Sequence, residues 1–115
     1  MSGLKRNITE SIHYLLNNFP CVVILGVRQV GKSTLLKQVL PNASFFDLER
    51  DADFQRINND PELLLQETNR PIIFDEAQIS VSLFKTLRVE IDKNRDQAGQ
   101  FLLSGSSSPQ LLIAY

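Results

Sequence analysis

The sequence predicts an α/β protein, a three-layer sandwich in which helices cover both faces of a mainly parallel sheet. Three observations lead to this prediction. Short apolar runs recur along the chain, segments with apolar residues at helical spacing lie between them, and Pro, Asn or Asp stands at most of the junctions. Strands that alternate with helices form parallel sheets, because parallel strands need a long crossover connection. The 115 residues are enough for one small domain.

The N-terminal part of the chain predicts a helix, a strand and a second helix. Apolar residues at helical spacing indicate a helix over 7–17, and Asn7 with Glu10 three places later has the arrangement of a capping box. Residues 21–25 form a continuous apolar run, which is typical of a strand buried on both faces. A loop over 26–31 follows, and residues 32–40 then have the pattern of a helix.

The middle of the chain predicts a second strand over 44–48 and a polar stretch over 49–60 that permits a short helix. Asp60 followed by Pro61 is a strong start signal for a helix, which we place over 62–68. A third strand follows over 72–74.

Beyond the third strand, the pattern predicts a helix over 81–95 and a fourth strand over 101–103. Ser108 and Pro109 have the form of a helix cap and first turn, so we expect a helix at the C-terminus. Five aromatic residues are expected in the core: Phe45, Phe46, Phe74, Phe84 and Phe101.

Composition and charge exclude several classes of protein. The formal net charge of −1 gives no overall attraction to nucleic acid, although binding through a local patch stays open. Cys21 is the single cysteine, so neither a disulfide framework nor a zinc cluster can form within the chain. The N-terminus lacks the apolar stretch of a secretory signal, and the apolar run over 21–25 is too short to span a bilayer. We therefore expect a cytoplasmic protein.

The loop after the first strand carries a phosphate-binding pattern. Residues 26–33, with Gly26, Gly31, Lys32 and Ser33 at the fixed positions, match G-x-x-x-x-G-K-[ST]. In this pattern backbone N–H groups surround an anion, the lysine contacts the β- and γ-phosphates, and the serine hydroxyl binds Mg²⁺. The predicted nucleotide-binding residues are Gly26, Val27, Arg28, Gln29, Val30, Gly31, Lys32, Ser33 and Thr34.

Two carboxylates follow the third strand. Ligands bind at the carboxyl ends of parallel strands, so this position places Asp75 near Ser33. We predict that Asp75 and Ser33 hold Mg²⁺, and that Glu76 polarises the attacking water as a general base or positioning group. Gln78 is a candidate contact to that water or to the γ-phosphate.

A third group of polar residues follows the fourth strand. Ser104 is the first candidate for a hydroxyl that senses the γ-phosphate, and Ser106 is the second. For each residue, a serine-rich turn without a role in the site is almost as good an interpretation. We group Ser104 with Glu76 and Lys32 as the predicted catalytic residues.

With these three motifs in place, the chain resembles the AAA-type P-loop ATPases, and more narrowly the prokaryotic AAA-like ATPases with a C-terminal domain of unknown function. The resemblance rests on residues 25–36, 73–78 and 103–106. It implies ATP hydrolysis, a further strand, a lid region, and an arginine that completes a neighbour's site. Arg88 and Arg95 do not match that arginine. We therefore expect residues 1–115 to be the N-terminal part of such a domain, truncated after the fourth core strand, with the C-terminal part absent.

The first hypothesis is an ATPase that uses ATP and Mg²⁺ and acts on an unknown partner, with homo-oligomers possible through the absent regions. The alternative is a regulatory module that binds nucleotide with negligible hydrolysis. A GTPase is a weaker reading, because the chain has no Asn-Lys-x-Asp segment for guanine. A small-molecule kinase is weaker still, since no acceptor-binding region is visible.

Overall fold

The computed structural model describes residues 2–26, 31–106 and 111–115, with side chains from residue 8 onward. The elements in chain order are α1 Ser2–Asn18, β1 Cys21–Gly26, α2 Lys32–Val39, β2 Ser44–Asp47, α3 Asp51–Asn59, α4 Pro61–Glu67, β3 Ile72–Asp75, a 3₁₀ turn Ala77–Ile79, α5 Val81–Lys93, β4 Phe101–Ser106 and β5 Leu111–Ala114.

The described strands form one sheet in the order β2-β3-β4-β1-β5. The first four strands in this order run parallel to one another, whereas β5 is antiparallel to β1. The predicted α/β fold with a mainly parallel sheet is therefore confirmed. Because β1, β3 and β4 point the same way and are adjacent, the residues that follow them meet at one edge of the sheet.

The sheet lies between two hydrophobic clusters, because successive side chains of each strand point to opposite faces. Val22, Ile73 and Leu102 pack with residues of α1 and α2 on one face. Val23, Phe74, Leu103 and their neighbours pack with residues of α3, α4 and α5 on the other face. Helices thus cover the sheet from both sides. Among the described residues, no helix combines the length and the apolar character needed to cross a membrane.

Two predictions about the helices are wrong. The first helix begins at Ser2, five residues before the expected capping box at Asn7, so that residue lies inside α1. Phe84 is 42% exposed although we expected it in the core. It follows Leu83 on α5 by about 100° around the helix axis, which turns it away from the stripe that Leu83, Leu87 and Ile91 bury.

The prediction of a helix at the C-terminus is also wrong. Ser108 and Pro109 lie outside the described residues, but Leu111–Ala114 form β5, whose backbone pairs with Val22–Leu25 of β1. A four-residue apolar run has no period that separates helix from strand, and the edge of β1 offers unpaired N–H and C=O groups. The sheet therefore extends beyond the fourth strand.

Candidate functional site

The predicted phosphate loop lies between β1 and α2, as its pattern requires. Gly26 ends β1 and Lys32 begins α2. Gly31, the residue before the helix, has φ of 107°, a left-handed conformation that glycine adopts without a steric penalty. The predicted contacts of Val27, Arg28, Gln29 and Val30 fall outside the described residues. Thr34 is exposed on the first turn of α2.

Lys32 points from the start of α2 across to the ends of β3 and β4. Its Nζ lies 3.1 Å from Oε2 of Glu76 and donates a hydrogen bond of 3.0 Å to the carbonyl oxygen of Gly105. Both charged side chains are largely buried, at 11% exposure for Lys32 and 5% for Glu76. The sequence predicts that Lys32 contacts phosphate and that Glu76 polarises water. In the structure, these two side chains form an ion pair with each other.

Ser33 and Asp75 meet as the sequence predicted. The Ser33 hydroxyl donates a hydrogen bond of 2.5 Å to Oδ2 of Asp75, which joins the start of α2 to the end of β3. Hydroxyl and carboxylate oxygens are ligands that Mg²⁺ accepts, and Mg²⁺ keeps several waters when a protein supplies only one or two ligands. In the part of the chain that the structure describes, no group of three or more His, Cys, Asp or Glu forms a cage of protein ligands alone. These two oxygens therefore fit a magnesium ion that also binds phosphate.

Ser104 connects the two acidic residues. It is almost fully buried on β4, and its hydroxyl donates to Oδ1 of Asp75. The Ser104 hydroxyl oxygen in turn accepts a hydrogen bond of 2.9 Å from the backbone N–H of Glu76. Ser104 thus orients the carboxylate of one residue and the backbone of the next. Its predicted contact with a γ-phosphate stays a prediction.

Glu76 is held in an unusual backbone conformation. Its φ of 57° and ψ of 50° lie in the left-handed region, which costs a non-glycine residue about 1–2 kcal/mol. Such strain persists where surrounding contacts enforce it, as the Ser104 hydrogen bond does here. The conformation turns the Glu76 side chain toward Lys32 and the end of β4.

The Glu76 carboxylate is buried but well supplied with donors. Oε1 accepts hydrogen bonds of 2.9 Å from Nε2 of Gln78 and 2.9 Å from the hydroxyl of Ser106. Burial by itself raises the pKa of Glu76, but the hydrogen bonds to the carboxylate and the charge of Lys32 outweigh it and leave the pKa below its usual value. The carboxylate is therefore ionised at neutral pH, as a base that polarises water must be.

Asp47 is a neighbour of the site that the sequence reasoning did not name. It ends β2 and lies opposite Asp75 in the β2–β3 register. Burial raises the pKa of Asp47, and the negative charge of Asp75 raises it further. The rule that drew attention to Asp75, an acid at the carboxyl end of a strand, applies equally to Asp47 and would have found it.

A large cavity of about 500 Å³ lies away from this cluster, between α5 and the sheet. Its lining includes Cys21, Phe84, Arg88 and Arg95, and none of the predicted site residues. The candidate site is instead the polar cluster at the carboxyl ends of β1, β3 and β4.

The order of the strands and the cluster at their ends define an α/β domain of the P-loop ATPase-like class. Residues 18–114 match a family model described as AAA domain. Because the match covers most of the chain, the chain belongs to this family of AAA-type domains.

Two relatives carry no description of an activity. The chain is 37% identical over 110 residues to the uncharacterized protein Mb2031c of Mycobacterium bovis, and to the same extent to the uncharacterized protein Rv2008c of Mycobacterium tuberculosis. These alignments cover 94% of the chain but 24% of each relative, so the chain spans about a quarter of their length. No solved structure gives a significant match.

Proposed function

We propose that this domain binds ATP in a Mg²⁺-dependent manner and hydrolyses it. The observation that carries the proposal is the meeting of Lys32 and Ser33, from the start of α2, with Asp75 and Glu76, from the end of β3. A cation, a metal-binding pair and a buried ionised carboxylate at one edge of a parallel sheet are the parts that phosphoryl transfer to water requires.

In this proposal Lys32 leaves its partners in the described site and contacts the phosphates. Its Nζ is held by one carboxylate oxygen and one carbonyl oxygen. The oxygens of a triphosphate carry more negative charge and are acceptors of the same kind, so they compete for this ammonium group. Backbone N–H groups at the N-terminus of α2 add a favourable field for the same anion.

Ser33 and Asp75 would hold the magnesium ion, which neutralises charge on the β- and γ-phosphate oxygens when bound. The Ser104 hydrogen bond keeps Oδ1 of Asp75 occupied, so Oδ2 is the oxygen directed toward Ser33 and the ion. Glu76, ionised and fixed through its backbone by Ser104, orients the attacking water and accepts its proton.

The test is equilibrium binding of ATP and of GTP in the presence of Mg²⁺, followed by phosphate release, on the wild type and two variants. Lys32→Ala is expected to weaken ATP binding at least 10-fold, because a buried charge-assisted contact to phosphate is lost. Glu76→Gln is expected to bind ATP but to lower phosphate release about 100-fold or more.

Matched controls use exposed residues of the same types. Lys85→Ala on α5 and Glu67→Gln on α4 change the same charges away from the site and are expected to leave binding and turnover unchanged. If the wild type binds neither nucleotide, or if Lys32→Ala binds ATP as tightly as the wild type, the proposal is wrong.

A second candidate is a module that binds nucleotide without appreciable hydrolysis. The ion pair between Lys32 and Glu76 favours it, because the pair occupies both groups that turnover would need. ATP binding that depends on Lys32, together with wild-type phosphate release no faster than the background without protein, would support this module over the ATPase.

The wider role belongs to the same proposal. A cytoplasmic location, coupling of hydrolysis to a partner, assembly into homo-oligomers and a place at the N-terminal end of a longer ATPase domain all stay predictions.

A further inference from the structure

Gln78 contacts the carboxylate of Glu76, the group predicted to polarise the attacking water. It lies in the 3₁₀ turn after β3, and its Nε2 is 2.9 Å from Oε1 of Glu76. A carboxylate only accepts hydrogen bonds, so the amide must present its nitrogen on this side. The sequence had suggested a contact of Gln78 with water or phosphate.

The end of β4 leaves room for this side chain. A Cβ atom at Gly105 would lie 3.0 Å from Oε1 of Gln78 and 2.9 Å from Cδ2 of Leu25. Both distances are shorter than ordinary van der Waals contact. The absence of a side chain at Gly105 therefore permits the Gln78 amide to lie against β4 and reach Glu76.

The two oxygens of Glu76 have different surroundings. Oε1 receives hydrogen bonds from Gln78 and from Ser106, which come from two different elements. Oε2 faces Lys32 at 3.1 Å, and its distance to the Ser106 hydroxyl, 3.1 Å, is longer than the 2.9 Å between that hydroxyl and Oε1. If Lys32 turns to a nucleotide, Oε2 loses its cation while both donors to Oε1 remain.

From this arrangement we infer that Gln78 is a positioning residue, which holds Oε1 of Glu76 so that Oε2 stays directed at water when Lys32 turns to bound phosphate. The inference rests on the proposed function and adds a residue to it. Gln78 acts through Glu76, so its loss should slow turnover without weakening nucleotide binding.

The experiment measures ATP affinity and single-turnover phosphate release for the wild type, Gln78→Ala and Gln78→Met. A hydrogen bond to a charged group contributes enough for a rate loss of about 10- to 100-fold in both variants, with ATP affinity within about twofold of the wild type. Gln78→Met has about the length of glutamine but no amide donor and no charge, so it separates the hydrogen bond from packing.

Gln66→Ala provides the matched control, because Gln66 is exposed on α4, away from the cluster. Gln78 is itself exposed, so its replacement opens no cavity, and the thermal unfolding midpoints of all three variants are expected to stay close to that of the wild type.

A second readout does not depend on turnover. The side-chain amide signals of Gln78 are identified by NMR from their loss in Gln78→Ala. They are then compared between the wild type and Glu76→Ala, with Mg²⁺ and a non-hydrolysable ATP analogue present. We expect them to move when the carboxylate is removed. Gly105→Ala should displace the amide, and its effect on turnover should be smaller in the Gln78→Ala background than in the wild type.

The outcomes separate the two proposals. A wild type that does not bind ATP, or that binds it without releasing phosphate, overturns the hydrolytic function and this inference with it. A wild type that hydrolyses ATP, with Gln78→Ala equally fast or with unmoved amide signals, overturns the inference alone. The same holds if Gln78→Ala weakens ATP binding more than it slows turnover, because the side chain would then contact the nucleotide.

Discussion

At the scale of single residues, hydrogen bonds make a buried polar cluster possible. Asp75 and Glu76 are both buried, and an ionised carboxylate at that depth is unfavourable unless donors surround it. Serine hydroxyls, the Gln78 amide and Lys32 supply those donors. Within the described residues, every buried side-chain nitrogen or oxygen has a hydrogen-bond partner. Removing a buried donor such as the Ser104 hydroxyl should therefore cost more than an average surface substitution.

The first residue-scale prediction concerns Ser104. Ser104→Ala removes the donor to Asp75 and leaves the buried N–H of Glu76 without its acceptor, so we expect the free energy of unfolding to fall by about 1–3 kcal/mol. Urea unfolding measures the change. Ser11→Ala, an exposed position on α1, should change stability by less than about 0.5 kcal/mol. A loss no larger than that of the control would contradict the connecting role of Ser104.

The second residue-scale prediction concerns thiol chemistry. Burial raises the pKa of Cys21 to about 12, because the thiolate would lose its hydration. The folded protein therefore keeps this thiol protonated at neutral and mildly alkaline pH, so the reactive thiolate is scarce at pH 8. A thiol reagent added at pH 8 should react slowly with the native protein and rapidly in denaturant. Equal rates in the two conditions would show that the thiol is accessible.

At the scale of elements, the starts of helices position the site and its neighbours. α2 begins directly after Gly31, so Lys32 and Ser33 lie on its first turn, where N–H groups are free. α4 begins with Asp60 as the cap and Pro61 at the first position, as the sequence predicted. The Asp60 side chain accepts a hydrogen bond of 3.1 Å from the N–H of Leu63. α4 in turn packs Leu64 and Leu65 against the sheet.

The element-scale prediction tests this cap. Asp60→Ala should lower the free energy of unfolding by about 1 kcal/mol, because a free N–H group of the first turn loses its acceptor. Asp60→Asn keeps an acceptor oxygen and should lose less. Thermal or urea unfolding of both variants checks the order. An alanine variant as stable as the asparagine variant would mean that the hydrogen bond contributes little.

At the scale of the whole molecule, the strand order brings the parts of the site together. β4 lies between β1 and β3. Ser104 on β4 therefore contacts Asp75 and Glu76 at the end of β3. The carbonyl oxygen of Gly105, also on β4, accepts a hydrogen bond from Lys32, which follows the loop after β1. Lys32 and Gly105 are 73 positions apart in the chain. A ligand that binds across these ends contacts segments from three strands, so its binding should stabilise the whole fold and not one loop.

The whole-molecule prediction follows from this linkage. At an ATP concentration 100 times the Kd, with Mg²⁺, the native state should gain about 2.7 kcal/mol. That gain corresponds to a rise in the unfolding midpoint of roughly 10 °C for a domain of this size. Differential scanning fluorimetry measures it, with Lys32→Ala as the variant that loses the rise and Lys85→Ala as the one that keeps it. A midpoint that does not respond in the wild type would contradict the proposed nucleotide site.

Local patterns account for most of the elements that the sequence predicted. The buried strand at Cys21, the cap at Asp60 and the acids after Phe74 each follow from neighbours within a few residues, and each is present in the structure. Two of the errors, at Phe84 and at the C-terminus, arose where two patterns compete over a short segment. Phe84 borders the apolar stripe of α5, and the run of β5 is too short for its period to decide between helix and strand.

By itself, the sequence determined the class of fold, the order of strands and helices along the chain as far as β4, and the residues that stand at the ends of the parallel strands. These features depend on periodicity and turn chemistry, which are properties of neighbouring residues. Only the tertiary structure decided that Lys32 pairs with Glu76, that Ser104 joins the two acids, and that Gln78 lies against Gly105. Those contacts join residues of different elements, and their geometry depends on strand order and on the left-handed backbone of Glu76, which no local pattern specifies.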